Sequence, residues 1–232
     1  MFAGRAPGRL ALRCVNRIPL ARGLGSSAAA VVAGALAANR LPGAPALSET
    51  QLIDYAAALE GHPDNAAPAV LGGLVASVRV RGSFKPYPLR PHPDLRAVDC
   101  IPDFELSTEK ARAVLPASYL RADAVDGAAR ALLLGSALEQ GDWDRLAVAM
   151  EDRFHQPYRA PLVKGMNGVI KAAVAAGASG ACLSGSGPTI LALAPAAAPL
   201  ETIGQAMKAA FAEHGITSKP MTLSVAPGAH PS

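Results

Sequence analysis

A glycine-rich stretch near the start of the chain, PLARGLGSSA at residues 19–28, is the feature that most constrains the fold. It follows a loosely alternating apolar segment at 10–18, which predicts a strand, and leads into an alanine-rich segment at 26–40, which predicts a helix. The first N–H groups of a helix have no partner inside it, so this combination predicts an anion site. Gly23 and Gly25 lack the Cβ atoms that would hold a phosphate away from the backbone.

Two better-known glycine-rich loops fit this stretch less well. A Walker A loop ends in Gly-Lys-Ser/Thr, and the first lysine of the chain is Lys85, so a P-loop nucleoside triphosphatase is excluded. The pattern Gly23-x-Gly25-x-x-Ala28 satisfies the degenerate dinucleotide fingerprint, which needs an acidic residue about 20 positions on. The nearest carboxylate, Glu49, follows a predicted helix and a Pro-Gly break, which disfavours dinucleotide binding. That function, and a purely structural role for the glycine turn, are the open alternatives.

The composition predicts a globular chain of one large domain or two small ones. Of the 232 residues, 50% are hydrophobic and 17% are charged, which is enough apolar material for a core. Cys14, Cys100 and Cys182 are widely separated and form neither a disulfide framework nor a zinc pattern. We therefore expect buried thiols in a reducing compartment and a cytoplasmic protein. No apolar run approaches the roughly 18 residues that would predict a membrane span.

Positive charge is concentrated at the start of the chain. Six arginines precede the first carboxylate, Glu49, and four of them recur at every fourth position from Arg5 to Arg17. Such a start is also typical of a mitochondrial transit peptide, but we prefer a solvated strand face because the phosphate loop follows directly, at Pro19. A nucleic-acid partner would require a reader motif and stacking aromatic residues, which the sequence lacks, so none is expected.

Capping and turn signals further along divide the sequence into two lobes. Ser48 and Gln51 form a capping box that opens a helix extending to about Glu60, and a strand is predicted at 71–81. The segment 82–93, rich in proline and basic residues, is the candidate boundary. Beyond it, strands and helices alternate as in an α+β sandwich. The predicted strands lie at 95–101, 181–184, 189–194 and 218–225, and the predicted helices at 107–114, 122–140, 143–152, 164–176 and 200–214.

Five motifs, in this order, resemble those of the GHMP kinases, and within that superfamily those of the homoserine kinase family. They are IPLARGLGSSAAA at 18–30, EGHPDNAAP at 60–68 with LGG at 71–73, LSTEKAR at 106–112, DRFHQPYR at 152–159 and LSGSGPT at 183–189. Their common order makes the combined match far more specific than any single motif. The resemblance implies an ATP-dependent kinase that phosphorylates a hydroxyl group of a small molecule.

The fold implied by this resemblance is α+β with two lobes. Residues 1–88 would form the ATP-binding N-terminal lobe, like domain 2 of ribosomal protein S5, and residues 89–232 a ferredoxin-like α/β sandwich. Relative to the family, a stretch of several dozen N-terminal residues with a motif of the type ANLGPGFD is lacking, so we expect an incomplete N-terminal lobe. That stretch carries substrate-contacting side chains and part of the adenine pocket. Either the start was assigned too late or the truncation is real, and if it is real we expect weak or no kinase activity and a poorly stable protein.

The resemblance also implies which residues hold ATP and Mg²⁺. The phosphates of ATP would lie on the loop at 19–29, and Ser26 would be the catalytic hydroxyl nearest the metal and the transferring phosphoryl group. Glu60 is the favoured second metal ligand, with Asp54 as the alternative. The ATP-binding residues would be Pro19, Leu20, Ala21, Arg22, Gly23, Leu24, Gly25, Ser26, Ser27, Ala28 and Ala29.

A second set of residues would bind the acceptor, which the resemblance identifies as L-homoserine, a substrate of threonine biosynthesis. Asp64 and Asn65 would position its hydroxyl or amino group, and Asp64 is the second catalytic candidate. Thr108 with Arg112, and Arg159 in a separate motif, would hold its carboxylate, because arginine forks match carboxylate geometry. Other acceptors used by the superfamily, and a nucleotide-binding protein without catalysis, are the alternatives.

The glycine-rich turn at 184–189 has two interpretations. By resemblance it closes against the ATP loop and shapes the active site, and alternatively it is a tight connection between two strands. The sequence leaves the oligomeric state open, a homodimer included.

Overall fold

Residues 11–41 and 46–229 are described by the computed structural model, and they divide into two units. The first unit contains Gly25–Leu89 together with the chain before Leu20 and after Val225, and the second contains Arg90–Val225 together with Leu20–Leu24. The glycine-rich stretch is therefore divided, because its middle part groups with the second unit. Within the described residues, no helix has both the length and the hydropathy needed to cross a bilayer.

Three helices build the core of the first unit: α1 (Ser26–Asn39), α2 (Glu49–Glu60) and α3 (Ala66–Leu71). The predicted capping box is confirmed at the start of α2. Ser48 Oγ accepts a hydrogen bond from the Gln51 N–H, and the Gln51 side chain accepts one from the Ser48 N–H. The buried core consists of small and branched side chains: Val32, Ala35, Leu52, Ile53, Ala56, Ala66, Ala67 and Val70.

One helix of the first unit was not predicted, and one predicted helix break falls outside the described residues. Helix α3 was not predicted, because its six residues are too few to show a helical period. The predicted Pro-Gly break after α1 falls on residues 42–43, outside the described residues.

A β-hairpin completes the described part of the first unit. Strand β1 (Leu74–Val80) pairs with β2 (Ser83–Leu89) in antiparallel fashion through the two-residue turn Arg81-Gly82. Both turn residues have positive φ, 50° and 90°, as in the type I′ turns that suit hairpins. Strand β1 lies within the strand predicted at 71–81, whereas β2 falls in the segment 82–93, which was predicted only as a boundary. Prolines ordinarily argue against a strand.

The prolines of β2 are compatible with a strand because of where they lie in the ladder. The residues that flank a two-residue turn exchange hydrogen bonds, so Pro86 and Pro88 fall at the alternate positions that do not bond to β1. Their missing N–H groups therefore belong to the outer edge of β2. On that edge the Phe84 N–H donates to Asp54 Oδ1 at 2.7 Å. These three residues leave no free N–H there for another strand to use.

The strand predicted at 10–18 is wrong for residues 11–18, which belong to no sheet of the described structure. Instead, the side chain of Asn16 accepts a hydrogen bond from the Ile18 N–H at 2.9 Å and donates one to the Ile18 carbonyl at 3.1 Å. Such local side-chain bonds compete with a sheet ladder. Alternating apolar residues are compatible with a strand, but they say nothing about whether a partner strand is available.

A four-stranded antiparallel sheet forms the second unit. Its strands are β3 (Leu95–Pro102), β4 (Gly180–Leu183), β5 (Ile190–Pro195) and β6 (Ser218–Ser224), in the spatial order β4-β5-β3-β6. Its helices are α4 (Thr108–Ala113), α5 (Arg121–Gln140), α6 (Leu146–Ala149), α7 (Gln156–Arg159), α8 (Met166–Ala175) and α9 (Leu200–Ala212). This β-α-β-β-α-β order is that of a ferredoxin-like sandwich, and the predicted α+β class is confirmed.

Helices α8 and α9 pack against one face of this sheet. Val98 and Ile190 are buried in the same cluster as Val169, Met207 and Phe211. Complete burial of one such side chain contributes roughly 1.5–3 kcal/mol. The helix predicted at 143–152 is wrong in extent, since a 3-10 turn and the four-residue α6 take its place. Helix α7 was not predicted.

One carboxyl group is buried within the sheet of the second unit. Asp99 lies in β3 and is 5% exposed, and its Oδ1 has no hydrogen-bond partner among the described residues. Burial disfavours the charged form and raises the pKa of Asp99 from 3.8 to about 6. The ionised side chain therefore opposes folding at neutral pH, whereas the protonated one does not.

We expect Asp99→Asn to stabilise the protein near neutral pH. The folded-state pKa lies above the unfolded one, so the cost of ionisation is absent below about pH 4, grows as the pH rises toward 6, and is constant above it. A difference of about two pKa units corresponds to about 3 kcal/mol of unfolding free energy. Urea denaturation of both proteins across this pH range measures the difference. An effect of the substitution that did not change with pH would contradict the prediction.

Candidate active site

The N-terminus of α1 presents backbone N–H groups without partners. Gly25 precedes the helix with φ of 70°, a left-handed conformation that suits glycine. The first hydrogen bond of the helix joins the Ala29 N–H to the Gly25 carbonyl. Among the described residues, none accepts a hydrogen bond from the N–H groups of residues 26–28. Together with the positive end of the helix dipole, these groups favour an anion.

The two serines that start α1 have different partners. Ser26 is 8% exposed, and its hydroxyl donates to the Ile18 carbonyl at 3.2 Å and accepts from the Asn16 side-chain amide at 2.9 Å. Ser27 is exposed, and its hydroxyl donates to Glu60 Oε1 at 2.6 Å. The metal and catalytic role of Ser26 stays a prediction. The serine that the fold brings to the favoured metal ligand is Ser27.

The geometry distinguishes the two candidate metal ligands. Glu60 is the last residue of α2, where the helix dipole disfavours a carboxylate, and it lies against the start of α1. Asp54 is instead occupied by the Phe84 N–H of the hairpin. A hydroxyl and a carboxylate are ligands that Mg²⁺ takes together with water and substrate phosphates. Within the described residues, no group of three or more His, Cys, Asp or Glu side chains could hold a metal ion.

The loop after α2 brings the predicted acceptor residues of the first unit close to α1. A Cβ atom at Gly25 would lie 3.3 Å from Asn65 Oδ1, so the Asn65 side chain packs against the glycine. Asp64 Oδ1 accepts a hydrogen bond from the Asn65 N–H at 2.8 Å and also contacts His62 Nδ1. The Asp64 side chain is 72% exposed, so it is accessible to a small molecule.

In the second unit, three successive carbonyl groups of the glycine-rich stretch accept hydrogen bonds. In a trans peptide, the carbonyl of one residue and the N–H of the next point in opposite directions. The N–H groups of residues 22–24 therefore point away from these donors, and no acceptor among the described residues bonds to them. Such a run of N–H groups suits an anion. The bonds join the carbonyls of Ala21, Arg22 and Gly23 to the Leu106 N–H, the Thr189 N–H and the Ser184 hydroxyl, at 3.2, 3.3 and 2.9 Å.

Gly23 permits a close contact between the two glycine-rich turns of the second unit. Its φ is 74°, and a Cβ atom there would lie 2.2 Å from the Ser184 carbonyl oxygen and 2.8 Å from the Gly187 nitrogen. No larger residue fits without moving backbone atoms. The predicted contact between the turn at 184–189 and the glycine-rich stretch is confirmed at Arg22 and Gly23. The ATP-binding role of the stretch stays a prediction.

Thr108 and Arg112, two predicted carboxylate-binding residues, lie on α4 in the second unit. Thr108 begins the helix, and its hydroxyl is 3.4 Å from Ser186 Oγ, a long distance for a hydrogen bond between hydroxyls. Arg112 is exposed on the same helix, and no carboxylate of the described residues forms an ion pair with it. Both side chains lie at the surface, as contact with a small-molecule substrate requires.

Arg159, the third predicted carboxylate-binding residue, is almost buried. It is 8% exposed, and its Nε and Nη1 donate to the carbonyls of Ala111 and Gly185, both at 3.0 Å. The Gly185 carbonyl belongs to the turn that also contacts the ATP loop. One turn thus touches predicted nucleotide residues on one side and a predicted acceptor residue on the other.

Asp152, to which the sequence analysis gave no role, holds the start of α7. Its carboxylate accepts hydrogen bonds from the N–H groups of Phe154, His155 and Gln156, at 2.8, 2.8 and 2.6 Å. Burial would raise the pKa of Asp152, but the hydrogen bonds from the His155 side chain and from these backbone N–H groups lower it to about 2. An aspartate that bonds backbone N–H groups two to four residues ahead is an Asx-type turn residue, and its position before a proline-containing turn is the signal that could have found it.

Comparisons with known proteins point to one family. The model of the GHMP kinase N-terminal domain matches residues 2–73, and that of the GHMP kinase C-terminal domain matches residues 135–213. The homoserine kinase of Desulfitobacterium hafniense is 46% identical over 216 residues, which cover 93% of this chain and 72% of that protein. The chain belongs to the homoserine kinase family of the GHMP kinases.

Other members of the homoserine kinase family give the same result. The homoserine kinase of Picosynechococcus sp. is 48% identical over 201 residues, which cover 86% of this chain and 65% of that protein. The crystal structure of homoserine kinase from Cytophaga hutchinsonii superimposes with a TM-score of 0.83 at 35% identity, covering 92% of this chain and 69% of that one. As a member of the homoserine kinase family, this chain is a kinase that acts on a hydroxyl group and uses ATP as the phosphoryl donor.

Gly23→Ala is expected to weaken ATP binding strongly. An alanine at position 23 would combine a left-handed φ with a clash against the Ser184 carbonyl oxygen. We expect a free-energy cost of about 2 kcal/mol or more, because a backbone oxygen cannot move away by a side-chain rotation. This corresponds to roughly 30-fold weaker binding in a titration with a fluorescent ATP analogue. Gly34→Ala is the matched control, since a Cβ atom at Gly34 meets nothing within 4 Å. Equal affinities of the two variants would contradict the prediction.

Asp152→Ala is expected to destabilise the protein at neutral pH. The folded-state pKa of about 2 lies below the usual 3.8, so the stabilisation is present above about pH 4 and is lost as the pH falls toward 2. It amounts to about 2 kcal/mol of unfolding free energy. Denaturation with urea at both ends of this range measures it. Asp144→Ala, at an exposed aspartate, is the control, and a loss of similar size there would contradict the assignment.

Proposed function

We propose that this chain transfers the γ-phosphoryl group of ATP to the hydroxyl of L-homoserine and produces O-phospho-L-homoserine, a step of threonine biosynthesis. The observation that carries the proposal is the identity of 46–48% to homoserine kinases over 86–93% of this chain. The geometry supports it, because the conserved chemistry of phosphoryl transfer requires a phosphate cradle and a positioned acceptor. The chain supplies candidates for both.

The nucleotide side consists of backbone groups. The N–H groups of residues 22–24 and those of the first turn of α1 are the donors that would hold the phosphates of ATP. They are held in place before ATP arrives, so little ordering is needed at the moment of binding. Residues 19–29 are the proposed ATP-binding residues.

Ser27 and Glu60 are the residues that best fit a divalent cation. Their side chains already lie 2.6 Å apart at the start of α1, and both present oxygen ligands. Bound Mg²⁺ would neutralise negative charge on the phosphate oxygens. Ser26 is retained as a proposed metal and catalytic residue, although its hydroxyl is bonded to the chain at 16–18.

The proposed acceptor-binding residues are those of the sequence motifs. We assign Asp64 and Asn65 to the hydroxyl and amino groups of the acceptor, and Thr108, Arg112 and Arg159 to its carboxylate. Phosphoryl transfer depends mainly on positioning and charge neutralisation, so Asp64 acts by orienting the hydroxyl rather than as an obligatory base. The division into lobes at 1–88 and 89–232 stays part of this proposal.

Coupled measurement of ADP release tests the reaction. We expect release that depends on L-homoserine, and much less with mevalonate or galactose, which carry hydroxyl groups but lack an amino-acid carboxylate and amine together. The full chain is used without truncation. If it binds ATP but releases no ADP with homoserine, it is a nucleotide-binding protein without this activity. Faster release with another alcohol would identify a different acceptor.

Glu60→Gln is expected to raise the Mg²⁺ concentration needed for half-maximal activity by about tenfold or more, because an amide is a poorer ligand than a carboxylate. The ADP-release assay over a Mg²⁺ titration measures the change. Asp54→Asn is the control, since Asp54 holds the Phe84 N–H and is expected to leave the Mg²⁺ requirement unchanged. If Asp54→Asn raised the Mg²⁺ requirement and Glu60→Gln did not, the metal ligand would be Asp54.

A further inference from the structure

We infer that Arg22 is a positioning residue that fixes the backbone of the phosphate loop through hydrogen bonds to carbonyl groups, and that its guanidinium is not a phosphate ligand. The inference deepens the proposed kinase function and rests on it. An arginine inside a phosphate loop would ordinarily be assigned to the phosphates, because its positive charge and planar fork suit them. The contacts of this side chain favour a different role.

All three guanidinium nitrogens of Arg22 face backbone carbonyl oxygens of the second unit. Nε donates to the Pro102 carbonyl at 3.0 Å, Nη2 to the Asp103 carbonyl at 3.1 Å, and Nη1 to the Leu20 carbonyl at 3.3 Å. Nη1 is also 3.6 Å from Glu105 Oε1. The side chain is 15% exposed. Three of its five N–H groups are thus bonded to carbonyl oxygens, and the fork is directed toward the end of β3.

These bonds fasten the loop to the end of a strand. Pro102 is the last residue of β3, and Asp103 follows it, so Arg22 joins residues 20–24 to an element that the sheet holds on both sides. The same segment is held through its carbonyls by Leu106, Thr189 and Ser184. The guanidinium bonds and the carbonyl bonds thus fix the same short segment of backbone. Each N–H of residues 22–24 points opposite to the carbonyl of the residue before it.

A lysine could not replace Arg22 in this role. Its ammonium is a single point with three donors, whereas the carbonyls of Leu20, Pro102 and Asp103 require donors spread over a planar fork. A lysine could, however, replace an arginine whose task is to place positive charge near a phosphate. The comparison of Arg22→Lys with Arg22→Met therefore separates the two roles.

Binding of a fluorescent ATP analogue and steady-state kinetics of the full chain test the inference. We expect Arg22→Lys and Arg22→Met to weaken nucleotide binding to a similar extent, by about tenfold, and to raise the KM for ATP accordingly while the KM for homoserine changes less than about twofold. Arg96→Met is the matched control. Arg96 also donates to two backbone carbonyls of the second unit, those of Pro93 and Leu95, both at 2.8 Å, but outside the loop. We expect it to leave nucleotide binding unchanged.

Several outcomes would overturn the inference. Near-normal binding by Arg22→Lys with a large loss in Arg22→Met would make the guanidinium a phosphate ligand. Equal increases in both KM values, or a lower melting temperature with unchanged nucleotide affinity, would make Arg22 a general stability residue. Should Arg22→Met fail to fold, Arg22→Gln, which keeps one amide donor, is expected to show an intermediate loss of affinity, and unchanged affinity would overturn the role. Because the nucleotide titration needs no acceptor, it decides the role of Arg22 even if homoserine is not phosphorylated.

Discussion

The candidate site depends on the hydrogen bonds that hold the carbonyl groups of Ala21, Arg22 and Gly23. A glycine-rich segment samples many conformations when it is free, and fixing each residue costs roughly 1–2 kcal/mol of conformational entropy. Ala21 even adopts φ of 52°, which a residue with a Cβ atom seldom does without support from its surroundings. Once these carbonyls are held, the direction of each following N–H group is set by the planarity of the peptide bond. The direction of these N–H groups, the proposed phosphate donors, is therefore a consequence of the hydrogen bonds made by the carbonyls.

The turn at 184–189 is the shared support of the second unit. Its ends are the strands β4 and β5, which are paired with each other, so the turn is held at both sides by the sheet. It bonds the loop through Ser184 and receives Arg159 through the carbonyl of Gly185. Arg159 is in turn placed by α7, whose start is held by the three hydrogen bonds to Asp152. A change at Asp152 can thus reach a predicted acceptor residue without touching the acceptor.

Those parts of the fold that rest on local signals were predicted from the sequence. Helix α2 begins at the predicted capping box, and α5 extends from Arg121 to Gln140 and ends before Gly141, close to the predicted 122–140. The strands of the second unit lie within a few residues of their predicted bounds. The errors concern elements that need a distant partner. Residues 11–18 have strand-like alternation but pair with no described strand, whereas β2 pairs with β1 despite its two prolines. The spacing of hydrophobic residues indicates which face of an element is buried. It does not indicate which other segment of the chain pairs with that element.

The sequence by itself determined the family and the fold class and predicted the phosphate loop, because these depend on residue types at fixed spacing along the chain. The tertiary structure alone decided what individual side chains in those motifs do. In the structure, Ser27 and not Ser26 donates a hydrogen bond to Glu60. Asp54 accepts a hydrogen bond from the hairpin, and the Arg22 guanidinium donates to the last residue of β3. The direction of a side chain depends on groups that are tens of residues away, such as Arg22 and Pro102, and spacing within a motif carries no information about those groups.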